Sequence, residues 1–369
     1  MRIVYDATPL LLRSAGVKNY HHALLARLLP RAAPHMLELF PFLTHLGVLR
    51  NERSNYPRLP TAARLGALLG ANYLGLPLGA WAGRRADLFH VTYHLRRPPR
   101  RPRLTCFLHD LTPLLMPELH TPSSVRYFRR FAADTLPRLA GIVVPSGSAR
   151  RDLVEKLGVS EERVTVIPHG VDPEFFPPGP LEPDSRAYDL PDRYILFLGA
   201  LEPRKNLATL LDAYDQLPQA LRESFPLVVA GASGWKNRRL RQRLAAAQRA
   251  GVRWLGYVPP SVLPLVYGGA SLFVFPSLYE GFGLPVLEAM AAGVPVVTSN
   301  VSSLPEVAGD AALTVDPRSA SELARAIERV LTDSALAADL AQRGQRRARD
   351  YTWEKAALAT KAFFERVAC

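Results

Sequence analysis

The sequence predicts an α/β protein built from two parallel-sheet domains. Short apolar runs alternate with amphipathic stretches along the whole chain, which is the pattern of repeated strand–helix units. The length of 369 residues suits two domains better than one. A stretch with six prolines at residues 173–191 interrupts the alternation, and we interpret it as an extended linker between the domains.

The first half of the chain contains six predicted strands, each a short apolar run bounded by turn residues. They are Arg2–Asp6, Leu37–Pro41, Asp87–Val91, Leu104–Leu108, Gly141–Pro145 and Val164–Pro168. Helices are predicted at Val17–Leu29, Ser123–Leu139 and Ser148–Leu157, with Ser146 as the N-cap of the last. We assign residues 1–175 to an N-terminal Rossmann-like domain and residues 176–192 to the linker.

The second half repeats the alternation without repeating the sequence. Its predicted strands are Tyr194–Leu198, Leu227–Ala230, Val252–Leu255, Leu272–Phe275, Pro295–Thr298 and Ala312–Val315, with helices centred near Leu210, Leu240, Leu263, Leu287 and Ile327. We assign residues 193–350 to a second Rossmann-like domain and residues 351–369 to a final helix. Two such domains enclose a cleft, and open parallel sheets bind ligands beyond the carboxyl ends of their strands.

The composition is that of a soluble globular protein, with 48% hydrophobic and 21% charged residues. Cys106 and Cys369 show no metal-ligand spacing, so we expect neither a disulfide framework nor a zinc site. The first residues enter a strand without a leader-like apolar run, which predicts a cytoplasmic protein. The apolar segment Leu65–Gly83 contains Asn72, Pro77 and five glycines, so a buried or interfacial helix is favoured over a membrane span.

The net charge of +13 is concentrated in the first half, where residues 1–180 carry 24 Lys and Arg against 13 Asp and Glu. The arginine clusters lie at residues 84–85, 96–103 and 126–130. Such a surface suits an anionic membrane, an anionic substrate or nucleic acid. Because 40 of the 46 basic residues are arginine, compositional bias is an alternative explanation. No nucleic-acid-binding motif accompanies the charge, so we expect no nucleic-acid partner.

A strand–turn–helix segment at residues 272–298 carries the strongest chemical signal. Gly281 and Gly283 allow a ligand to approach the backbone, and a helix predicted to begin near Leu284, with Pro285 in its first turn, offers N–H groups to a phosphate.

Two carboxylates flank that turn. Glu280 precedes the helix and Glu288 lies near its first turn. A carboxylate accepts two hydroxyl hydrogen bonds, so one can bind a ribose diol and the other sugar hydroxyls. The alternative is an ordinary helix, capped by Glu280, with Glu288 in solvent.

Cations and one histidine complete the candidate site. Arg204 and Lys205 follow the strand Tyr194–Leu198 in the sequence GALEPRKN and suit a diphosphate. His109, next to Asp110 at the end of the strand Leu104–Leu108, can hydrogen-bond a sugar hydroxyl and stabilise developing charge, although a purely structural histidine is the alternative.

Several chemistries lose support because their motifs are missing. No Asp-x-Asp occurs, so an acidic metal clamp is not evident. The P-loop, the GxSxG elbow and GxGxxG after the first strand are also absent, which disfavours kinase-type, hydrolase and dinucleotide chemistry.

These residues resemble glycosyltransferase family 4, whose members are retaining enzymes of the GT-B fold with two Rossmann-like domains facing across a cleft. The matching segments are EGFGLPVLEAMAAGVPVV, VIPHGVD, VPSGSARRDL, LGYVP and GALEPRKN, the last similar to the phosphate loop of bacterial mannosyltransferase-like members. Departures are Ala200, where many members have arginine, and a first loop that keeps Gly16 without a second glycine.

The resemblance implies a role for each matching position. Glu288 would bind the donor ribose, Glu280 the donor sugar near the reacting carbon, and Arg204 and Lys205 the leaving diphosphate. In the turn that contains Gly281, the backbone of Phe282, Gly283, Leu284 and Pro285 would contact the sugar and phosphate. Tyr257 and Val258 would contact the base, Gly16 a phosphate, and His109 the donor sugar. A helix from Trp353 would cross back to the first domain.

We therefore expect a retaining transferase that moves a hexosyl unit from a nucleoside diphosphate sugar, with GDP-mannose preferred, to a hydroxyl of a glycan or lipid-linked acceptor. No metal or other cofactor is expected, and the protein would be cytoplasmic or peripheral on the inner face of an anionic membrane. Alternatives are a sugar-nucleotide hydrolase, a transferase with a small soluble acceptor, a catalytically silent sugar-nucleotide-binding protein, and a basic surface-binding protein.

Overall fold

The computed structural model describes residues 1–12, 16–51, 53–74, 83–92, 95, 98–176, 188–234 and 238–368. Several residues of the predictions lie outside this set, namely Arg96, Arg97, Cys369, residues 177–187 of the linker and residues 75–82 of the apolar segment. The chain divides into two compact units. Unit 1 comprises Met1–Leu114, Ser123–Gly170 and Trp353–Cys369, and unit 2 comprises Leu115–Pro122 and Val171–Thr352.

Unit 1 contains a six-stranded parallel sheet with the order β2-β1-β3-β4-β5-β6. Its strands are β1 (Arg2–Asp6), β2 (Met36–Phe40), β3 (Leu88–Val91), β4 (Arg103–Phe107), β5 (Leu139–Val144) and β6 (Val164–Val166). The helices described in this half are α1 (Gly16–Leu28), α2 (Arg58–Leu74), α3 (Thr112–Leu115), α4 (Pro122–Asp134) and α5 (Gly147–Leu157). Ser146 caps α5 as predicted, because its Oγ accepts a hydrogen bond from the N–H of Ala149.

Unit 2 contains a second six-stranded parallel sheet with the order β12-β11-β10-β7-β8-β9. Its strands are β7 (Ile195–Leu198), β8 (Leu227–Ala230), β9 (Arg253–Gly256), β10 (Leu272–Phe275), β11 (Val296–Ser299) and β12 (Leu313–Val315). Its helices are α6 (Leu207–Asp215), α7 (Gln219–Ser224), α8 (Arg238–Arg249), α9 (Leu263–Gly268), α10 (Leu284–Ala291), α11 (Leu304–Ala308), α12 (Ala320–Thr332) and α13 (Ser334–Ala348). Counted within the unit, this is the 3-2-1-4-5-6 order of a Rossmann fold.

The last helix, α14 (Trp353–Ala368), belongs to unit 1 and packs against α1. It places Trp353, Phe363 and Phe364 in the same buried cluster as Tyr5 and Leu24. Each of these aromatic side chains is at most 2% exposed, so α14 is part of the core of unit 1.

All twelve predicted strands are present, and their ends differ from the predicted ends by at most two residues. Helix α4 is shorter than predicted, because it ends at Asp134 and not at Leu139. Pro137 has no N–H to continue the α-helical hydrogen bonds, so the chain forms a short 3-10 turn at Leu136–Arg138, and Leu139 already belongs to β5.

Helix α2 overlaps the apolar segment that was predicted to be buried or interfacial. Leu68 and Ala71 are buried, whereas Leu59 and Leu69 are 84% and 67% exposed, so α2 is a surface helix. Among the helices that the structure describes, none is long and apolar enough to cross a membrane.

Candidate active site

The site in unit 2 lies where the strand order reverses. β7 and β10 are neighbours in the sheet, although they are the first and fourth strands of the unit. Crossovers leave such a pair of strands toward opposite sides, so the loops at their carboxyl ends separate and expose a crevice. The loop after β7 carries Arg204 and Lys205, and the loop after β10 carries Glu280.

Glycines hold the β7 loop against the sheet. Gly231 has a φ of +145°, and a Cβ at this position would come within 1.9 Å of the carbonyl oxygen of Gly199. The N–H of Leu201 donates to the carbonyl of Ala232 at 3.0 Å, which continues the contact beyond the strands. The start of the phosphate-loop candidate is therefore fixed by backbone packing that a larger side chain would disrupt.

The predicted cations and the first predicted carboxylate form one buried ion-pair cluster. The Nζ of Lys205 lies 2.7 Å from Oε1 of Glu280, and a guanidinium nitrogen of Arg204 lies 2.7 Å from Oε2. Arg204 also donates to the carbonyl of Tyr279 and pairs with Glu202, each at 2.7 Å. The cluster thus contains two positive and two negative side chains.

The cluster controls the ionisation of Glu280. Burial alone would raise the pKa of this carboxyl, but Arg204, Lys205 and hydrogen bonds from Lys205 and Ser277 outweigh it and lower the pKa to about 2. Glu280 is therefore a carboxylate over the ordinary pH range. Its Oε1 accepts a charge-assisted hydrogen bond from Lys205, and its Oε2 is ion-paired with Arg204.

Serine side chains fix the turn around Glu280. The Oγ of Ser277 donates to Oε1 of Glu280 at 2.6 Å, and the N–H of Glu280 donates to Ser302 at 2.9 Å. Ser303 donates to the carbonyls of Glu280 and Phe282 at 2.9 and 2.7 Å. Ser302 and Ser303 follow β11, which lies next to β10, and their bonds hold the turn in one conformation.

Helix α10 begins at Leu284, with Pro285 in its first turn, as predicted. Gly283 precedes it with a φ of +104°, in the left-handed region that favours glycine. Gly281 and Phe282 are buried in the same turn, and the Phe282 ring lies 5.9 Å from that of Tyr351. A helix start of this kind presents backbone N–H groups to an anion.

Glu288 lies on α10 and accepts a hydrogen bond from the hydroxyl of Tyr267 at 2.9 Å. Burial raises the pKa of Glu288 to about 7. The Tyr267 hydrogen bond and Lys205 oppose this shift, and Asp172 adds to it. Glu280 and Glu288 thus differ in chemistry, since one is firmly ionised and the other titrates near neutrality.

The predicted base-contacting turn follows β9. Tyr257 is half-buried, whereas the side chain of Val258 is buried in the core of unit 2. A ligand at this turn could contact Val258 only through its backbone. The contact of both residues with a base stays a prediction.

The predicted residues of unit 1 are a separate group. His109 follows β4, and its ring centroid lies 4.6 Å from that of Tyr20 and 4.6 Å from that of Phe107. His21 and His169 are 5.5 and 5.8 Å away. Burial lowers the pKa of His169 well below its ordinary value, and the nearby His109 adds to this effect. The imidazole of His109 is thus part of a packed aromatic and histidine cluster.

Gly16 is the first residue of α1. A Cβ at Gly16 would meet no atom within 4 Å, so steric room in unit 1 does not require glycine there. Asp110, the neighbour of His109, accepts bonds from the N–H and hydroxyl of Thr112, the first residue of α3. A phosphate contact at Gly16 stays a prediction.

The structure therefore brings Arg204, Lys205 and Glu280 together and places Glu288 on the adjoining helix. The sequence interpretation missed the groups that hold these side chains, namely Glu202, Tyr267, Ser277, Ser302 and Ser303, and it missed the Asp172 carboxylate, which acts on the charge of Glu288. Glu202 had a local signal, because it lies two residues before Arg204 within the same loop.

Both halves of the chain match known protein families. Residues 20–175 match the family described as Glycosyltransferase Family 4, and residues 182–347 match Glycosyl transferases group 1. The chain is 34% identical over 376 residues to the O-antigen chain mannosyltransferase B of Escherichia coli, with 98% of each chain covered.

Two solved structures have the same fold. Sucrose-phosphate synthase from Thermosynechococcus elongatus superposes with a TM-score of 0.74 at 22% identity, covering 100% of this chain and 99% of the other. Anabaena HepE in complex with UDP and glucose superposes with a TM-score of 0.71 at 17% identity, covering 99% of this chain and 100% of the other.

Two six-stranded parallel sheets give the GT-B fold, and the family matches on both halves of the chain show that the protein is a glycosyltransferase. The chain belongs to glycosyltransferase family 4. The predicted fold class and the predicted enzyme class are both confirmed.

Proposed function

We propose that this glycosyltransferase moves a hexosyl unit, with mannose the preferred sugar, from a nucleoside diphosphate sugar to an acceptor hydroxyl with retention at the anomeric carbon. The observation that carries the proposal is the cluster of Lys205, Arg204 and Glu280 beside the start of α10. It combines cations for a leaving diphosphate with a carboxylate for sugar hydroxyls.

The diphosphate would bind beside Lys205 and the start of α10, in exchange for part of the ion pairing with Glu280. Lys205 supplies a point charge, and the N–H groups at the start of α10 supply fixed dipoles. As the bond from the anomeric carbon to the diphosphate breaks, negative charge grows on the phosphate oxygen. Groups placed in advance stabilise that charge in the transition state more than in the ground state.

The contacts of Glu280 argue against a covalent glycosyl-enzyme on this carboxylate. Its Oε1 accepts hydrogen bonds from Lys205 and Ser277, and its Oε2 is ion-paired with Arg204. An oxygen held by such bonds is a weak nucleophile. Attack of the acceptor on the face that the diphosphate leaves, with the departing phosphate taking the acceptor proton, accounts for retention without a protein nucleophile.

His109 is proposed as the group of unit 1 that hydrogen-bonds the donor sugar. Its neighbours Tyr20 and Phe107 fix the plane of the imidazole. A ring held in this way can offer a hydrogen bond in a defined direction.

The preference for GDP-mannose and a glycan or lipid-linked acceptor rests on relatives. The full-length relative at 34% identity is an O-antigen chain mannosyltransferase, whereas the HepE structure contains UDP and glucose. GDP-mannose is therefore the first candidate donor and UDP-glucose the second.

An anionic membrane surface is proposed as the place where a lipid-linked acceptor is met. Helix α4 exposes Arg126, Arg129 and Arg130 on its surface, next to the partly exposed ring of Tyr127. Arginine with an interfacial aromatic side chain suits the anionic headgroup region of a membrane.

A panel of nucleotide sugars tests the donor, because a ligand that binds the folded state raises the melting temperature. GDP-mannose should give the largest shift, and the anomeric configuration of the product, followed by NMR, should match that of the donor. Transfer that continues in excess EDTA is expected, since Arg204 and Lys205 supply the positive charge. An inverted product would disprove the mechanism, and binding without transfer to any acceptor would favour a silent sugar-nucleotide-binding protein.

A further inference from the structure

Tyr267 is a buried residue whose hydroxyl is bonded to a carboxylate of the site. It lies on α9 with 0% of its surface exposed, and its hydroxyl donates to Oε2 of Glu288 on α10 at 2.9 Å. A tyrosine hydroxyl in a core needs a hydrogen-bond partner, and a carboxylate is a stronger acceptor than a neutral oxygen.

Aromatic packing fixes the position of that hydroxyl. The ring centroid of Tyr267 lies 5.7 Å from that of Phe175 and 5.3 Å from that of Phe273, both in edge-to-face geometry. Rings packed on two sides do not change rotamer freely. The hydroxyl therefore meets Glu288 at a fixed point.

Glu288 needs such a support because the charges around it oppose one another. Asp172, just before the turn Pro173–Phe175, disfavours the ionised carboxyl, whereas Lys205 of the β7 loop favours it. On α13, which also packs against α10, Arg347 donates to the carbonyl of Val307 and Arg343 pairs with Asp310. Among the residues that the structure describes, Tyr267 is thus the one group that hydrogen-bonds the Glu288 side chain.

We propose that Tyr267 is a positioning residue for donor binding: its hydroxyl holds Oε2 of Glu288 so that the second carboxylate oxygen is directed to a ribose hydroxyl of the donor. The inference rests on the proposed function, in which Glu288 binds the donor ribose. It assigns a role in donor binding to a residue that a sugar nucleotide need not touch.

The variant Tyr267→Phe tests this role, because it removes one oxygen and keeps the ring. Tyr194→Phe is the matched control. Tyr194 belongs to the same buried cluster, and its hydroxyl donates to the carbonyl of Val266 at 2.7 Å, so the control also removes one buried hydroxyl bond. Melting temperatures of both variants report how far each change affects the fold.

Donor affinity is then measured by calorimetry with GDP-mannose at several pH values. Tyr267→Phe should weaken binding about tenfold, the worth of one hydrogen bond to a charged acceptor. The pH at which affinity rises should move upward, because the lost bond stabilised the ionised carboxyl. Tyr194→Phe should leave both the affinity and its pH dependence unchanged, and kcat at saturating donor should change little in either variant.

Glu288→Gln supplies the decisive comparison. In a Glu288→Gln background, Tyr267→Phe should weaken donor binding by less than about twofold, since the two residues act through one bond. An unchanged affinity and pH profile in Tyr267→Phe would overturn the inference, and so would equal losses in Tyr267→Phe and Tyr194→Phe. If the unmodified protein bound no nucleotide sugar in the panel, the proposed function itself would have failed.

Discussion

The ammonium of Lys205 and a carboxylate oxygen of Glu280 lie 2.7 Å apart, although 75 positions separate the two residues in the sequence. The contact joins the loop after β7 to the loop after β10. Because these strands are neighbours at the reversal of strand order, the ion pair joins the two loops at the place where open parallel sheets bind ligands.

Glu280→Gln should lower kcat at saturating donor by about 100-fold, because it removes the carboxylate that is proposed to bind the sugar and that pairs with Arg204 and Lys205. The free energy of unfolding should fall by about 3 kcal/mol, since two buried cations lose a partner. Kinetic measurements made well below the melting temperature of the variant separate the loss of kcat from the loss of stability. The control Glu38→Gln, at a half-exposed pair with Arg2, should change both values little. Full turnover in Glu280→Gln would show that Glu280 is not an active-site group.

Donor affinity should rise between about pH 6 and about pH 8, because ionised Glu288 accepts ribose hydroxyls better than the neutral acid. The folded pKa of about 7 lies above the ordinary value of 4.5. The protonated form is thus favoured in the fold, and this contribution to stability is complete below about pH 4.5 and lost as the pH rises through about 7.

Calorimetric titration with GDP-mannose at several pH values measures this rise in affinity. The ligand does not contribute to the pH dependence, because both phosphates of a nucleotide sugar are esterified and do not titrate near neutrality. Glu288→Gln should bind about tenfold more weakly at high pH and should show a flat profile. A pH dependence that survives unchanged in Glu288→Gln would assign it to another group.

His109→Phe should reduce kcat by about tenfold or more, because a hydrogen bond to the donor sugar is lost. The phenyl ring preserves packing against Tyr20 and Phe107, so the melting temperature should change little. His90→Phe is the control: His90 is buried on β3, and its Nδ1 lies 2.9 Å from the Thr105 hydroxyl. That variant should lose stability and keep its kcat. A lower melting temperature with an unchanged kcat in His109→Phe would show that His109 is a purely structural residue.

Replacement of Arg126, Arg129 and Arg130 on α4 by glutamine should weaken binding to vesicles of anionic lipid by about 100-fold at low salt, at about 1 kcal/mol for each charge. The control replaces Arg238, Arg239 and Arg241, which are exposed on α8 of unit 2. It removes the same charge from another surface. Equal losses in the two variants, or binding that persists unchanged in high salt, would exclude electrostatic docking through α4.

The strands were predictable because a buried parallel strand is a continuous apolar run, as in β10 and β8. Their order in the sheet was not, since it depends on contacts between distant segments. The residues of the active site likewise divide into those that the sequence predicts and those that depend on contacts between distant segments. Glu280 and Lys205 stand in recognisable motifs, whereas Tyr267, Ser302 and Ser303 act only through neighbours that the fold supplies. Nothing local distinguishes such residues from other tyrosines and serines.

The balance of charge in the cluster has a consequence for turnover. Glu202 and Glu280 together offset Arg204 and Lys205, so a diphosphate meets cations that already have partners. In the proposed reaction, the released nucleoside diphosphate would compete with Glu280 for these cations, and the returning ion pairs would favour its departure. We therefore expect weaker product inhibition than two unpaired cations would produce. The ion pairs would form again before the next donor binds.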